Sequence, residues 1–436
     1  MNIIPSALLV EELARHRRHS HLHVGISHRS YLLNDGGIEH CLRRETEIAR
    51  LNGVDYLHLC PPEAAAQDRR TPALVEVCLN DEFVGLTCLD GLSAKFSTLQ
   101  PSMSFLHSAL GFESGSLIRL LLNIRACGPI MQWIHDLSFA CESVTLVRNG
   151  IACGVPVLDA KICDGCSFNS SRASVMAHYD QIERLSDCQV FPSLSAQSRY
   201  NSSISARGRA STIRQFVLPH YIVNCSTPPN LIRRVVPMDV PVGVAFFGHS
   251  VPHKGWLEFV QLVSSLYGNS AYNFYHIGTA GQTDPRIERI NFSETFNAAG
   301  DNSLQDICAN RNIRLAFFWP VALESFGIMF RQTLGAGCAI VCSENNDAQN
   351  EFINNCHQIR FFSRLDQLIA WLGDYKAVAE LLNQAGKTEC KLIPSACSYD
   401  LPVNQCGPWL NQEQLANNNF NADELKLLFP RKAYNL

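Results

Sequence analysis

The feature that most constrains the fold is an apolar segment followed by a polar loop, a stretch of helical length and a second apolar segment. The apolar segments are residues 313–318 and 338–341, and the loop carries Glu324 just before Gly327. Strand, helix and strand in this order predict two parallel strands joined by a crossover, because parallel strands need a long connection. Ligands of such sheets bind beyond the carboxyl ends of the strands. The N–H groups of a helix starting there lack intrahelical partners, so they can hold phosphate oxygens.

The size and charge of the chain narrow the class of protein. A length of 436 residues is too great for one ordinary hydrophobic core and predicts two or more domains. Hydrophobic residues make up 46 % of the chain, as in globular proteins, and charged residues only 17 %. The formal net charge of -4 lacks the basic excess of nucleic-acid-binding proteins, so we expect no nucleic-acid partner.

The N-terminal residues and the apolar runs bear on location. Residues 1–13 contain Glu11 and Glu12 and lack the basic start and apolar core of a secretory signal. No apolar run approaches the roughly 20 residues that span a bilayer. We therefore expect a cytoplasmic protein whose 18 cysteines are mostly reduced. The basic run of residues 15–19 is either a solvated face or a contact with acidic lipid head groups, which keeps a peripheral position at the inner membrane face open.

Alternating strand-like and helical segments predict an α/β chain with two doubly wound domains. In the first domain residues 38–51 have the apolar rhythm of a helix, residues 171–185 also read as a helix, and Ser193 is a predicted N-cap. The predicted strands are residues 21–27, 54–60, 129–134, 188–191 and 215–219 in the first domain and 242–247, 273–277, 313–318 and 338–341 in the second.

A segment rich in serine, threonine and proline around residues 224–230 reads as a linker. The predicted organisation is an N-terminal domain at 1–223 with a cysteine-containing insertion at 141–166, a linker at 224–240, a C-terminal domain at 241–395 and a tail at 396–436.

The loop after residue 318 resembles the signature of family 4-type glycosyltransferases, of the kind found in bacterial polysaccharide biosynthesis. Glu324, Phe326 and Gly327 match its Glu-x-Phe-Gly turn, whereas Gln332 replaces the second Glu eight positions later. The resemblance implies the GT-B fold, with two Rossmann-like domains facing each other across a cleft. It implies that Glu324 contacts the donor sugar and that position 332 holds the ribose hydroxyls. A neutral amide there binds ribose less strongly than a carboxylate.

Further residues match the donor site that the resemblance implies. Lys254 stands where the family places a lysine against the donor diphosphate, and His249 takes the position of an arginine. Gly36 and Gly37 resemble a Gly-Gly-x-Glu segment that faces the donor phosphates. The implied donor-binding residues are Gly36, Gly37, His249, Lys254, Ser325, Phe326, Gly327 and Gln332. The implied catalytic residues are Glu324 and His135, which follows the predicted strand 129–134 and lies near the reacting sugar.

Four cysteines follow the His135 segment, namely Cys141, Cys153, Cys163 and Cys166. The last two form a CxxC pair with the spacing of a zinc knuckle, and some bacterial glycosyltransferases of this type look similar here. One interpretation is a structural zinc that braces a long loop, and the other is four free thiols. No cofactor is expected for catalysis, because no Asp-x-Asp motif for a metal-bound diphosphate occurs in the sequence.

These features predict a retaining, metal-independent glycosyltransferase of hexosyltransferase type. It would move a sugar from a nucleotide diphosphate sugar to a glycan or lipid-linked acceptor. Two alternatives stay open. A nucleotide-sugar epimerase with the GT-B fold would need acid and base carboxylates that the N-terminal half does not reveal. An inactive, glycosyltransferase-like binding protein is favoured by Gln332 and His249, the two departures from the family pattern.

Overall fold

The computed structural model describes residues 3–34, 36–62, 73–153, 163–211, 213–226, 240–278, 281–291, 301–344, 356–395 and 397–400. Most of the predicted linker and the predicted tail beyond residue 400 lie outside the described residues. The described strands are β1 (His21–Ile26), β2 (Val54–Cys60), β3 (Leu74–Leu79), β4 (Glu82–Cys88), β5 (Met103–Leu106), β6 (Ile130–Trp133), β7 (Val147–Arg148), β8 (Ile151–Ala152), β9 (Cys188–Phe191), β10 (Arg214–Val217), β11 (Tyr221–Ser226), β12 (Val242–Phe247), β13 (Tyr272–Gly278), β14 (Glu288–Asn291), β15 (Ile313–Phe318), β16 (Ala339–Ser343), β17 (Ile359–Phe362) and β18 (Glu389–Pro394). The described α-helices are α1 (Ser6–His16), α2 (Gly37–Leu51), α3 (Leu89–Ser93), α4 (Phe96–Leu99), α5 (Ser114–Arg125), α6 (Asn169–Leu185), α7 (Leu194–Ser205), α8 (Trp256–Leu266), α9 (Asp301–Asn310), α10 (Ile328–Gly335), α11 (Leu365–Gly373) and α12 (Tyr375–Ala385).

The chain divides into two compact units. Unit 1 comprises Met1–Val144, Leu158–His220 and Ser395–Leu436, and unit 2 comprises Thr145–Val157 and Tyr221–Pro394. This division differs from the predicted domains in two respects. The short β7–β8 hairpin belongs to unit 2, and the described residues Ser395 and Cys397–Asp400 belong to unit 1. The start of the predicted linker, residues 224–226, is strand β11.

Unit 1 is built on an eight-stranded sheet. Its strands run in the order β10-β9-β6-β5-β1-β2-β3-β4. The strands from β10 to β2 are parallel, whereas β3 and β4 add an antiparallel hairpin that the sequence analysis did not predict. The parallel part reverses direction in chain order between β1 and β5, which makes the loops after these two strands its switch point. Strand β2 is buried along its whole length, as parallel strands covered on both faces require.

Helix α2 packs on this sheet with an apolar stripe at helical spacing. Ile38, Cys41, Leu42 and Ile48 are buried and belong to one hydrophobic cluster with side chains of the sheet. Glu45 interrupts the stripe, because it lies four residues after Cys41 on the same helix face and is fully buried. A buried carboxylate must be hydrogen-bonded to be tolerated, so Glu45 marks a polar network inside unit 1.

Unit 2 is built on a six-stranded parallel sheet. Its order, β14-β13-β12-β15-β16-β17, is the 3-2-1-4-5-6 arrangement of a Rossmann sheet. The switch point of this sheet lies between β12 and β15, which pair directly. Every residue of β12 is buried, and hydrophobic clusters cover both faces of the sheet. The predicted crossover from β15 through α10 to β16 is confirmed.

Strands β11 and β18 form a separate antiparallel pair in unit 2. Cys225 and Cys390 face each other in this pair and form a disulfide bond. The thiol of Cys356 lies 3.7 Å from the sulfur of Cys225. Across the ranges that the structure describes, helices long and apolar enough to cross a membrane are absent.

Two fully buried histidines of unit 1 predict acid sensitivity. Burial lowers the pKa of His23 and of His58 to about 3, from 6.5. Below pH 6.5 the unfolded chain binds protons that the folded chain does not, so the free energy of unfolding falls as the pH drops toward 3. Each histidine contributes up to about 1.4 kcal/mol per pH unit. We expect lower urea midpoints at pH 5 than at pH 7, with a smaller difference in His58→Gln. An identical difference in wild type and variant would contradict this account.

Candidate functional site

The two loops at the switch point of the unit 2 sheet are joined by backbone hydrogen bonds. The carbonyl of His253, in the loop after β12, accepts from the N–H groups of Val321 and Ala322, each at 3.0 Å. Gly255 ends the first loop with φ +89°, and a Cβ there would lie 2.1 Å from the carbonyl oxygen of Trp319. Only glycine therefore allows the two loops to approach this closely.

An ion pair joins the side chains of these two loops. Nζ of Lys254 lies 2.5 Å from Oε1 of Glu324, although the residues are 70 positions apart in the chain. The Lys254 side chain is 41 % exposed and that of Glu324 17 % exposed. An ion pair this accessible to water contributes little to stability, about 0–1 kcal/mol, so a ligand can displace it at low cost. The structure thus brings together a cation and a carboxylate that the sequence analysis assigned to the diphosphate and to the sugar.

The Glu-x-Phe-Gly turn sets the start of helix α10. Gly327 is the N-cap, in the left-handed region at φ +71°, and it has no side chain that could cap the helix. Phe326 is buried, and the guanidinium of Arg331 stacks over its ring at 3.6 Å from the centroid. Ser325 is half-buried and His249 is exposed. Helix α10 therefore starts directly after the loop that carries Glu324, with first-turn N–H groups that have no side-chain cap.

Gln332 lies inside unit 2. Only 4 % of it is exposed, and its Nε2 donates to the hydroxyl of Tyr221 at 3.3 Å. In the part of the chain that the structure describes, its Oε1 is buried without a hydrogen-bond partner. The ribose contact of this residue stays a prediction.

Gly36 and Gly37 lie at the start of α2 in unit 1. Gly37 is the first helical residue and Gly36 is the N-cap. A Cβ on Gly36 would lie 2.2 Å from Oε2 of Glu39, so the buried Glu39 carboxylate folds back over this glycine. The predicted phosphate contact of the two glycines is untested, and a carboxylate already lies at this helix start.

His135 follows β6, at the carboxyl edge of the unit 1 sheet. It is 8 % exposed and stacks against Trp133, His107 and His220, with ring centroids 4.8–5.3 Å apart. Burial lowers its pKa well below 6.5, and the neighbouring His220, His107 and His28 lower it further. His135 is therefore a neutral imidazole near pH 7, which can donate or accept one hydrogen bond but does not act as a cation.

A polar network that the sequence analysis missed surrounds this histidine. Nε2 of His135 lies 3.0 Å from Nδ1 of His107, and Nε2 of His107 lies 2.9 Å from Oε2 of Glu45. His107 follows β5, and Glu45 lies on α2, so three separate elements supply the three side chains. The sequence signal was the carboxylate inside the apolar stripe of α2, which periodicity alone would have assigned to the core.

The cysteines of the predicted zinc site are described, and zinc stays a prediction. Cys141 and Cys163 are buried and Cys166 is half-buried. Burial raises the pKa of the Cys141 thiol, and the neighbouring Cys166 and Cys163 raise it further. Among the described residues, the groups with at least three ligand atoms within 4.8 Å of one another are Cys41, His107 and His135, and Cys225, Cys356 and Cys390.

Metal analysis tests the cysteine site directly. We expect up to one zinc ion per chain after dialysis, and less in Cys163→Ser, because thiolates are strong zinc ligands. The buried strand residue Cys188 provides the control, since Cys188→Ser removes a thiol outside the CxxC segment. If protein produced in zinc-supplemented medium contains no zinc, the four cysteines are free thiols and the zinc prediction is wrong.

The comparison with solved structures supplies the fold. A sucrose-phosphate synthase from Thermosynechococcus elongatus is similar to the chain with a TM-score of 0.51 and 13 % identity, covering 92 % of this chain and 99 % of that one. A trehalose-6-phosphate synthase is similar with a TM-score of 0.52 and 13 % identity, covering 84 % and 94 %. An E. coli structure described as trehalose-6-phosphate bound with UDP-2-fluoro glucose has a TM-score of 0.51, 12 % identity and coverages of 84 % and 94 %.

The two doubly wound sheets and this likeness define the GT-B fold with two Rossmann-like domains, as predicted. No protein-family model matches the chain, and no curated protein matches it.

Proposed function

We propose that this protein is a glycosyltransferase that moves a sugar from a nucleotide diphosphate sugar to a hydroxyl of a glycan or lipid-linked acceptor. The observation that carries the proposal is the Lys254–Glu324 pair at the switch point of a Rossmann-ordered sheet. Open α/β sheets bind ligands at this place. A cation for phosphate and a carboxylate for sugar hydroxyls are the two groups that a nucleotide sugar requires there.

The donor would bind by exchange of ion-pair partners. Its diphosphate would take the Lys254 ammonium and the N–H groups at the start of α10. Glu324, released from Lys254, would accept hydrogen bonds from the donor sugar. Because the ion pair is partly exposed, breaking it costs little free energy. The charge-assisted hydrogen bonds that Lys254 would form to a diphosphate are more favourable than the pair that is lost.

The same groups would stabilise the leaving group. Negative charge develops on the diphosphate as the glycosidic bond breaks, and Lys254 with the α10 N–H groups would stabilise it without a metal. Retention at the anomeric carbon is part of the proposal and rests on the resemblance to family 4-type enzymes. A UDP-sugar is the first donor to test, since a solved structure of similar fold is bound with UDP-2-fluoro glucose.

An inactive binding protein is the second candidate. Gln332 is buried and hydrogen-bonded to Tyr221 instead of facing solvent, which favours weak nucleotide affinity. Turnover separates the two candidates, because a binding protein would hold the nucleotide sugar and release no nucleoside diphosphate.

Replacing Lys254 tests the diphosphate contact. We expect Lys254→Met to weaken UDP binding about tenfold or more in titration calorimetry, because it keeps the apolar stem and removes the charge. Lys376→Met, on α12 of the same unit, is the matched control and should bind UDP as wild type does. Equal affinity of the Lys254 variant and wild type would remove Lys254 from the donor site.

A further inference from the structure

A chain of buried hydrogen bonds runs from helix α2 to the ring of His135. Glu45 and His107 have fully buried side chains and are joined at 2.9 Å, and His107 is joined to His135 at 3.0 Å. The three residues come from α2, the end of β5 and the end of β6. Side chains supplied by three elements and excluded from water have one arrangement, because each is held by packing on every side.

The carboxylate of Glu45 is acceptor-only, which sets the direction of the bonds that it receives. Its Oε2 accepts from the hydroxyl of Tyr56 at 2.7 Å, and its Oε1 accepts from the hydroxyl of Ser398. The indole N–H of Trp133, a donor only, donates to the Ser398 oxygen at 2.8 Å.

The ionised state of Glu45 follows from these donors. Burial alone would raise its pKa, but the neighbouring His107 and the hydrogen bonds from His107, Ser398 and Tyr56 lower it below the ordinary value. An ionised carboxylate in contact with Nε2 of His107 requires a proton on that nitrogen.

The position of one proton then determines the next. When the His107 ring carries a single proton, that proton is on Nε2, so Nδ1 is an acceptor. Nε2 of His135 faces this acceptor and must be its donor. Since His135 is neutral, its remaining nitrogen, Nδ1, carries a lone pair.

His135 is one of the residues that line a small cavity. Ser108, Asp136 and Tyr179 line the same cavity. Among the described residues, the hydrogen bond found for the His135 ring is the one from Nε2 to His107, which leaves Nδ1 for a ligand.

We propose that Glu45 and His107 are positioning residues that hold His135 with its proton on Nε2, so that Nδ1 accepts a hydrogen bond from a sugar or acceptor hydroxyl. The role toward the hydroxyl rests on the proposed glycosyl transfer, whereas the proton arrangement does not. His135 would thereby bind a group that donates a hydrogen bond, such as a hydroxyl. It would not bind a group that can only accept one.

The proton arrangement is measurable without activity. Protein labelled with ¹⁵N-histidine is examined by long-range ¹H–¹⁵N correlation at pH 8, above the ordinary imidazole pKa of about 6.5. The His135 signals are identified by their loss in His135→Gln. We expect a protonated Nε2 and an unprotonated Nδ1. The opposite tautomer in wild type would overturn the proposal.

Neutralising the carboxylate tests its influence. Glu45→Gln keeps the volume but lets an amide donate to His107, so we expect a mixed or reversed His135 tautomer. With the proposed transfer as readout, kcat should fall about tenfold or more with little change in KM. Tyr56→Phe keeps the carboxylate and should keep the tautomer. Glu183→Gln, another buried carboxylate of unit 1, is the matched control and should change neither readout. A wild-type tautomer in Glu45→Gln would overturn the proposal.

The outcomes separate this proposal from the proposed function. If wild-type protein shows the expected His135 tautomer but no sugar transfer, the proposed function is wrong and the proposed proton arrangement is still supported. Stoichiometric metal that is lost in Cys41→Ser would also overturn the proposal, because His107 and His135 would then be metal ligands together with Cys41.

Discussion

Glu324→Ala is expected to abolish detectable sugar transfer while the protein remains folded. The side chain lies in a loop and forms a partly exposed ion pair with Lys254 at 2.5 Å. Losing that pair costs at most about 1 kcal/mol of stability. A group that orients the donor sugar in the transition state contributes far more to the rate, about 100-fold or more. The measurement is nucleoside diphosphate release with an acceptor present, beside a urea unfolding curve.

The control for this substitution removes a comparable carboxylate elsewhere in unit 2. Glu288 lies on strand β14 and pairs with Arg311 at 3.2 Å in an exposed ion pair. Glu288→Ala should lose as little stability as Glu324→Ala and keep the full transfer rate. Transfer at the wild-type rate by folded Glu324→Ala protein would contradict the assignment of Glu324 to the donor sugar.

His135→Gln is expected to lower kcat about 100-fold, with a smaller effect on KM. The glutamine amide can still donate to Nδ1 of His107, but it removes the second ring nitrogen of His135. We choose glutamine because alanine would leave a void among the stacked rings of Trp133, His107 and His220. Such voids cost roughly 2–4 kcal/mol in buried sites. Because the ring is buried, we expect His135→Ala to lower the melting temperature as well as kcat.

The pH dependence and a second histidine variant complete this test. Since the pKa of His135 lies well below 6.5, this group stays neutral between pH 6 and 8 and adds no acid limb to kcat in that range. His58→Gln removes another buried imidazole of unit 1, hydrogen-bonded to Ser27 at 2.9 Å, and should retain kcat. A His135→Gln enzyme with wild-type kcat, or equal losses in both variants, would place His135 in the fold instead of the mechanism.

Local pattern was sufficient for the elements that position the proposed donor site. The strand bounds 54–60, 188–191, 242–247 and 313–318 were predicted correctly, because these strands are short, apolar and followed by turn residues. Ser193 caps α7 as predicted, with its hydroxyl accepting from the N–H of Ala196 at 3.1 Å. The crossover from β15 through α10 to β16 followed from the alternation of elements, since parallel strands need a long connection.

The sequence pattern did not predict which segments pair when they lie far apart in the chain. The pairing of β11 with β18 and the return of Ser398 to unit 1 join residues that are far apart in the chain and share no local signal. Their stability comes from burial and cross-strand contacts that exist only in the folded chain.

What the sequence by itself determined is the fold class and the residues Lys254, Glu324 and Gly327 at the switch point, because strand ends and glycines are local properties. What only the tertiary structure decided is which charges meet. Lys254 and Glu324 form a pair across 70 residues, and Glu45, His107 and His135 form a buried chain from three elements. The physical reason is that a hydrogen bond depends on distances of about 3 Å, whereas sequence spacing specifies only the face and the end of an element on which a residue lies.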